Sequence, residues 1–365
     1  MIVYLAHVFN KSGIFNVLSY TSTRALMGFI FAFILSLLMG RRVIQYLFLA
    51  GFRDYPRDYG EMSVSDKRGT PTMGGALIVL VAMISILLCC DWTETRVWIV
   101  LASMVTFGAI GFYDDYGKAI TKSAEGGATR IIKVIPQIAF GALLGWLAVT
   151  NTWHLFPSGF GDAIVVPFLK TPLFNVSWAM VLLGIMWSGG ISNAVNYTDG
   201  LDGLLAVPAF FCFLVLAVFS YVMGNSFLAE YLYYDYLAGV EELSIICSIF
   251  MGACLGFLWF NAFPAEVFMG DFGSLLLGGV LMTISFLIHQ EVILLIAGAI
   301  FVFQLASSFV QEQFFKYKGM RLFRAAPYHE GLVKNYLMAE SKVVVRFWIV
   351  AAILAASALI TLKIR

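Results

Sequence analysis

Charge is what this sequence has least of: Asp, Glu, Lys and Arg make up 12% of its 365 residues against 61% hydrophobic ones. A soluble domain carries about twice that charge, so the composition excludes an ordinary water-exposed protein and points to membrane integration. Basic and acidic residues nearly cancel, 23 against 22. No uncompensated basic face is left for a phosphate backbone, and nucleic acid is excluded as a partner. Cysteine is scarce. Cys89, Cys90, Cys212, Cys247 and Cys254 all sit in apolar stretches without C-x-x-C spacing, which excludes the usual zinc and redox arrangements and leaves small buried hydrophobes. Met1–Tyr20 lacks a basic segment leading into a long apolar run and a cleavage site, so a removable signal peptide is not expected. Low-complexity tracts, internal repeats and soluble segments are missing as well, and the chain reads as one membrane domain over residues 1–365.

Long apolar runs are abundant. About 20 helical residues cross roughly 30 Å of hydrocarbon. Ten stretches qualify, near Thr21–Met39, Gly74–Cys90, Trp98–Tyr113, Ile131–Val149, Val176–Ile191, Leu204–Met223, Leu243–Phe260, Ser274–Ile288, Val292–Val310 and Val343–Leu362. The expected fold class is an all-α integral membrane protein with about ten transmembrane helices. If the loops after odd-numbered spans share one side, that side holds seventeen of the 23 Lys and Arg residues and the other side six. The positive-inside rule then makes those loops cytoplasmic and both termini periplasmic. Between the fourth and fifth spans, Asn151–Pro172 has the Pro and Gly content of a small hairpin.

A transporter places ionisable groups near the middle of its spans. Here the spans are nearly free of charge, and polar clusters stand at the ends of four connections on the basic side, the layout of a catalytic surface at a membrane interface. The first is Lys67-Arg68-Gly69-Thr70-Pro71-Thr72-Met73-Gly74-Gly75. It can offer ammonium, hydroxyl and backbone N–H groups to a phosphate, or be only a basic flank with a helix start. The second, Gly111–Lys118, holds Asp114 and Asp115. Neighbouring side chains diverge by about 100° on a helix, so one can face a cation and the other a second reactant. Acids at a helix C-terminus also oppose the macrodipole, which argues against a merely bland pair.

The third cluster, Asn193–Leu204, contains Asn193, Asn196, Thr198, Asp199 and Asp202 with no Lys or Arg. That suits a polar ligand such as a uracil or ribose edge, whereas an Asx-capped turn would use one Asp but hardly both. The fourth runs from Trp259 to Ser274. Its Gly270 and Gly273 permit tight backbone around Asp271, whose carboxylate suits a hard cation or a helix cap. Phe268 suits a stacked base or plain packing.

In this order the four clusters resemble the phospho-N-acetylmuramoyl-pentapeptide transferases, members of the polyprenyl-phosphate N-acetylhexosamine-1-phosphate transferase superfamily. The resemblance runs in register from Phe15-Asn16-Val17 to Val345-Arg346-Phe347-Trp348, and is most specific over Lys67–Gly75, Asn193–Leu204 and Phe268–Ser274. It implies a ten-span fold in the bacterial cytoplasmic (inner) membrane with its active site at the cytoplasmic face. It also implies attack by undecaprenyl phosphate on the β-phosphorus of UDP-MurNAc-pentapeptide, release of UMP, Mg2+ as cofactor, and a homodimer. Carried over residue by residue, Asp271 is the expected magnesium ligand and Asp114 the residue that takes the proton from the lipid phosphate. Asp115 belongs to the same essential pair, and His329 stands in the last loop of the site. Lys67, Thr72, Asn196, Asp199, Asp202, Asn261, Phe268 and Gln311 are expected to line the nucleotide pocket, with Phe268 beneath uracil. Lys118 and Arg130 would line the phosphate side, and Lys133 and Asn193 complete the substrate-binding set.

The likeness fails at three points. A run of three histidines after Ala-Pro is reduced to one, in Ala326-Pro327-Tyr328-His329-Glu330-Gly331; a glutamate usual in the ninth span is Gln304; and Lys133 to Gln137 lies one residue further from the Asp pair than usual. If the last loop still closes over the pyrophosphate, His329 would donate a hydrogen bond to a phosphate oxygen, and Glu330 must turn away or be offset by Lys334 or Arg324. Residue identities leave open direct attack or an aspartyl-phosphate on Asp115, with direct attack favoured because the incoming phosphate is already an oxygen nucleophile. The competing readings are a sister transferase taking a UDP-N-acetylhexosamine without peptide, a lipid or ion transporter, and an inactive paralogue.

Overall fold

The computed structural model describes residues 17–53, 69–123, 126–169, 173–323 and 325–364. Its helices are α1 (Thr21–Leu49), α2 (Gly75–Cys89), α3 (Thr95–Thr121), α4 (Arg130–Thr150), α5 (Ala179–Thr198), α6 (Ala206–Met223), α7 (Ser226–Tyr231), α8 (Glu241–Asn261), α9 (Gly270–Leu287), α10 (Glu291–Ala297), α11 (Ala299–Lys318), α12 (Tyr328–Tyr336) and α13 (Glu340–Ile360). Helix is the expected answer for such apolar runs, because in hydrocarbon each backbone N–H and C=O must find its partner within the segment.

Among the described residues, eight helices are long and apolar enough to cross a membrane. The other two predicted stretches fall on α2, which has 15 residues, and on α10 and α11, bent by 79° where they meet. The bend sits at Gly298, the one residue between the two helices, whose N–H still closes the last turn of α10 on Leu294 O at 2.7 Å. The ninth predicted stretch is therefore not one straight helix. The expected hairpin exists as two-residue antiparallel strands, β1 (Ala163–Ile164) and β2 (Phe174–Asn175), but its second strand lies beyond Pro172. All five cysteines are free and buried, as their apolar settings require.

Helix α9 is the centre of the bundle. Every residue from Gly273 to Leu287 is buried, as expected of a helix that is apolar all round. It packs against α2, α3 and α5, while α8 packs against α1 and α6, and α4 against α5. Between apolar helices in lipid, close approach depends on small residues. At Gly111 of α3 a Cβ would lie 2.2 Å from Asp271 O of α9. Only glycine permits this crossing, and the crossing brings Asp114 and Asp115 up to the first turn of α9.

The end of the bundle opposite these acids also holds buried charge. Arg24 of α1 reaches Glu242 of α8 at 2.6 Å, and Glu242 Oε2 also accepts from Asp91 N at 2.9 Å. Arg96 pairs with Glu94 at 2.7 Å and donates to the carbonyls of Ala238 and Leu155.

Candidate active site

At the crossing of α3 and α9, Asp115 Oδ2 accepts from Phe272 N at 2.9 Å. An anion there satisfies an otherwise orphaned amide of α9's first turn and faces the positive end of its dipole. The cap of α9 is thus supplied from α3. Asp271, which the sequence also allowed as a cap, is instead the second residue of the helix, with its side chain turned to lysines: Lys133 Nζ at 2.7 Å and Lys118 Nζ at 3.6 Å from Oδ2.

Asp114 is shared in the same way. Lys118 lies 2.6 Å from its Oδ2, Lys133 lies 2.9 Å from its Oδ1, and Oδ1 also accepts from Ala128 N at 2.7 Å. One oxygen from each of Asp114, Asp115 and Asp271 falls within 4.8 Å of the others. Asp114 and Asp115 are buried, while the Asp271 side chain is 19% exposed. Three carboxylates against two ammonium groups leave one net negative charge. Three hard oxygen donors converging in this way fit a divalent cation such as Mg2+, with Asp271 the most open to it.

The remaining clusters close around this core. The first and fourth run side by side: Phe268 N donates to Pro71 O at 2.8 Å, Gly74 N to Phe268 O at 2.8 Å and Gly75 N to Met269 O at 2.9 Å. Gly270 has φ +74°, and a Cβ there would lie 2.5 Å from Asp115 Oδ2 and 3.1 Å from the Thr72 hydroxyl oxygen. Glycine is required on both counts, and Thr72 is thereby placed beside the acids. From the third cluster, burial pushes the Asp199 carboxyl up to about 8, with the fields of Asp271, Asp115 and Asp202 adding to it.

Other predicted residues are tied into the framework. Asn261 accepts from Gly203 N at 3.0 Å and donates to Val267 O at 2.8 Å, Asp202 accepts from Ala265 N at 3.2 Å, and Trp348 Nε1 donates to Gly203 O at 3.1 Å. These bonds lash the α5–α6 turn to the α8–α9 connection and, through Trp348, to α13. Asn196 donates to Ser274 Oγ at 3.0 Å, and Asn193 to Gln137 Oε1 at 3.1 Å and Gly189 O at 2.7 Å. Gln311 accepts from Phe323 N at 2.7 Å. Arg130 is exposed, 3.6 Å from Glu312 rather than joined to the acids. Lys67 lies outside the described residues.

His329 is buried at the start of α12. Glu330 is offset by Lys334 at 2.7 Å, as its placement beside a phosphate site would require. The sequence reading had no role for the backbone N–H of Ala128. A loop amide carries no side-chain signature, so no motif could have marked it.

Residues 97–289 match glycosyl transferase family 4, and residues 67–79 match the phospho-N-acetylmuramoyl-pentapeptide-transferase signature 1. A phospho-N-acetylmuramoyl-pentapeptide-transferase of Desulfotalea psychrophila is 41% identical over 352 residues, covering 96% of both chains. One of Syntrophus aciditrophicus is 40% identical over 353 residues with the same coverage. With likeness of that extent over a multi-pass helical bundle, the chain belongs to the phospho-N-acetylmuramoyl-pentapeptide transferase family.

Proposed function

We propose that this chain transfers phospho-MurNAc-pentapeptide from its UDP carrier to undecaprenyl phosphate, giving the first lipid-linked peptidoglycan precursor (lipid I) and UMP. The observation that carries the reading is the cluster of three carboxylates and two lysines at the α3–α9 crossing. It sits at the end of the bundle where basic loops gather, which we assign to the cytoplasmic face of the bacterial inner membrane, with both termini periplasmic. A lipid phosphate arriving from the bilayer and a nucleotide arriving from the cytosol can meet only at such an interface.

Joining two phosphoryl groups is an electrostatic problem. Each pair of unit charges at 4 Å repels by about 4 kcal/mol at an effective dielectric near 20. Lys118 and Lys133 offset that repulsion, and the aspartates hold both ammonium groups at the reaction point. Asp271, with Asp114 and Asp115, would hold Mg2+, which supplies charge neutralisation on the diphosphate. Asp114 is the base for the lipid phosphate. Asp115 gives one oxygen to the amide of Phe272 and so helps to fix Asp271; direct attack is favoured over an aspartyl-phosphate because the incoming phosphate is already an oxygen nucleophile. Thr72, Asn196, Asp199 and Phe268 surround the nucleotide side.

UMP release measured with purified protein and undecaprenyl phosphate tests the reading. It should occur with UDP-MurNAc-pentapeptide and stay at background with UDP-N-acetylglucosamine. The reverse preference would identify a sister transferase, and phosphate-independent flux in sealed vesicles without UMP would identify a transporter.

A further inference from the structure

We propose that Gln304 is a positioning residue for His329, fixing its imidazole in the neutral tautomer that carries the proton on Nδ1 and presents a bare Nε2 to the loop after α5. The role assigned to that nitrogen rests on the transferase reading above; the tautomer itself does not.

The first turn of α12 is docked on α11 by side chains. Tyr328 N donates to Ser307 Oγ at 3.2 Å and His329 N to Gln304 Oε1 at 3.4 Å, which satisfies two amides that a helix start leaves without intrahelical partners. The second bond settles which way the Gln304 amide faces. A backbone N–H can only donate, so it is the oxygen, not the NH2 group, that points at His329. The same oxygen stands 3.3 Å from His329 Nδ1. An amide oxygen can only accept, so Nδ1 carries the hydrogen. In a neutral ring Nε2 is then a bare acceptor.

That nitrogen is buried and has no hydrogen-bond partner among the described residues. It is aimed at the α5–α6 loop, where a Cβ on Gly200 would lie 2.1 Å from it. Gly200 directly follows Asp199 of the nucleotide side. The charged groups around the ring favour neutrality or cancel. Lys334 on α12 opposes protonation and is itself paired with Glu330, α11 presents the uncharged Gln304 and Ser307, and Asp199 in the loop opposite has its own carboxyl pushed up by burial. Burial, aided by Lys334, holds the imidazole down at about 4. In this chain the lone histidine of the last loop therefore accepts a hydrogen bond from an O–H or N–H donor, and does not donate one to a phosphate oxygen as the sequence reading expected.

Two measurements test this on the full-length protein in detergent. The first is the 15N spectrum of the four histidines, with His329 assigned by its loss in His329→Gln. The ring should show a protonated Nδ1 and a bare Nε2 at pH 7.5; a proton on Nε2 overturns the proposal whether or not the protein is active. The second is the pH profile of kcat/KM for UMP release by Gln304→Glu. A carboxylate beside Nδ1–H raises an imidazole by about 1–3 pH units, so the variant should gain a titration step between pH 5 and 7 that the parent and Gln304→Glu/His329→Gln both lack. A Gln304→Glu profile superimposable on the parent's overturns the proposal. If the parent itself releases no UMP, it is the transferase reading that fails, and the spectrum still decides the tautomer. The spectrum also decides the matter if the glutamate variant does not fold.

Discussion

Two sets of buried charge sit at opposite ends of this bundle, and they are built differently. At the far end Arg24 meets Glu242 one to one, Glu242 also accepts from Asp91 N and Arg24 also donates to Cys89 O, while Arg24 Nε has no hydrogen-bond partner among the described residues. At the acidic end three carboxylates share two lysines. A pair of balanced charge serves to join α1, α8 and the α2–α3 turn. An unbalanced cluster of formal charge keeps carboxylate oxygens that a cation could take up. Burial alone does not separate structural charge from functional charge; the stoichiometry of the cluster does.

The sharpest way to break that distinction is to neutralise one acid at each end. Asp271→Asn should lower the rate of UMP release at least about a thousandfold, roughly 4 kcal/mol of barrier, an effect on rate far larger than its effect on the thermal midpoint. Glu242→Gln should do the opposite. It strands the Arg24 guanidinium in a buried site and should cost about 3 kcal/mol of stability, with kcat of the folded fraction within about twofold of the parent. Thermal melts and active-site-normalised rates on the two variants read both effects.

Geometry can be perturbed without touching charge. In Gly111→Ala the new methyl would meet Asp271 O, so α3 and α9 must part near the acids. A misplacement of about 1 Å is worth about a hundredfold in rate, and that loss is expected with all three aspartates in place. A smaller effect concerns His329, whose imidazole lies below its ordinary 6.5, at about 4, through burial and the nearby Lys334. The unfolded chain takes up a proton that the folded one refuses. The parent should therefore lose stability as pH falls from 6.5 to 4, and His329→Gln should lose less over that window, as thermal melts at pH 4.5 and 7 would show.

Much of this was legible from residues that sit close in sequence. Asp114 and Asp115 were visible as acids at the wrong end of a helix, and Asp271 as an acid between glycines. Glu330 was expected to need an offset, and Lys334, one helical turn on, supplies it. What was not legible depends on separation in sequence. Asp115 caps a helix that begins 155 residues later, at Gly270, and Gln304 meets His329 across 25 residues. The break at Gly298 was hidden because Val292–Val310 is apolar on both sides of it, and hydropathy does not register direction. Asp202 read as ligand-binding because polar side chains between spans have few partners nearby, and Asn261 through the family resemblance; their bonds to backbone groups of the two connections could not be read from either signal. Eight of the ten apolar stretches fall on helices long and apolar enough to cross a membrane, because length and composition are properties of a segment alone.

We propose the unbalanced cluster as a metal-assisted phosphoryl-transfer site. It is tested most directly by UMP release from UDP-MurNAc-pentapeptide and undecaprenyl phosphate during an EDTA and magnesium titration. Release should fall to background in EDTA, return with excess Mg2+, and not return in Asp271→Asn at any Mg2+ concentration. Release that continues undiminished in EDTA, or an Asp271→Asn protein that matches the parent at saturating Mg2+, would contradict it.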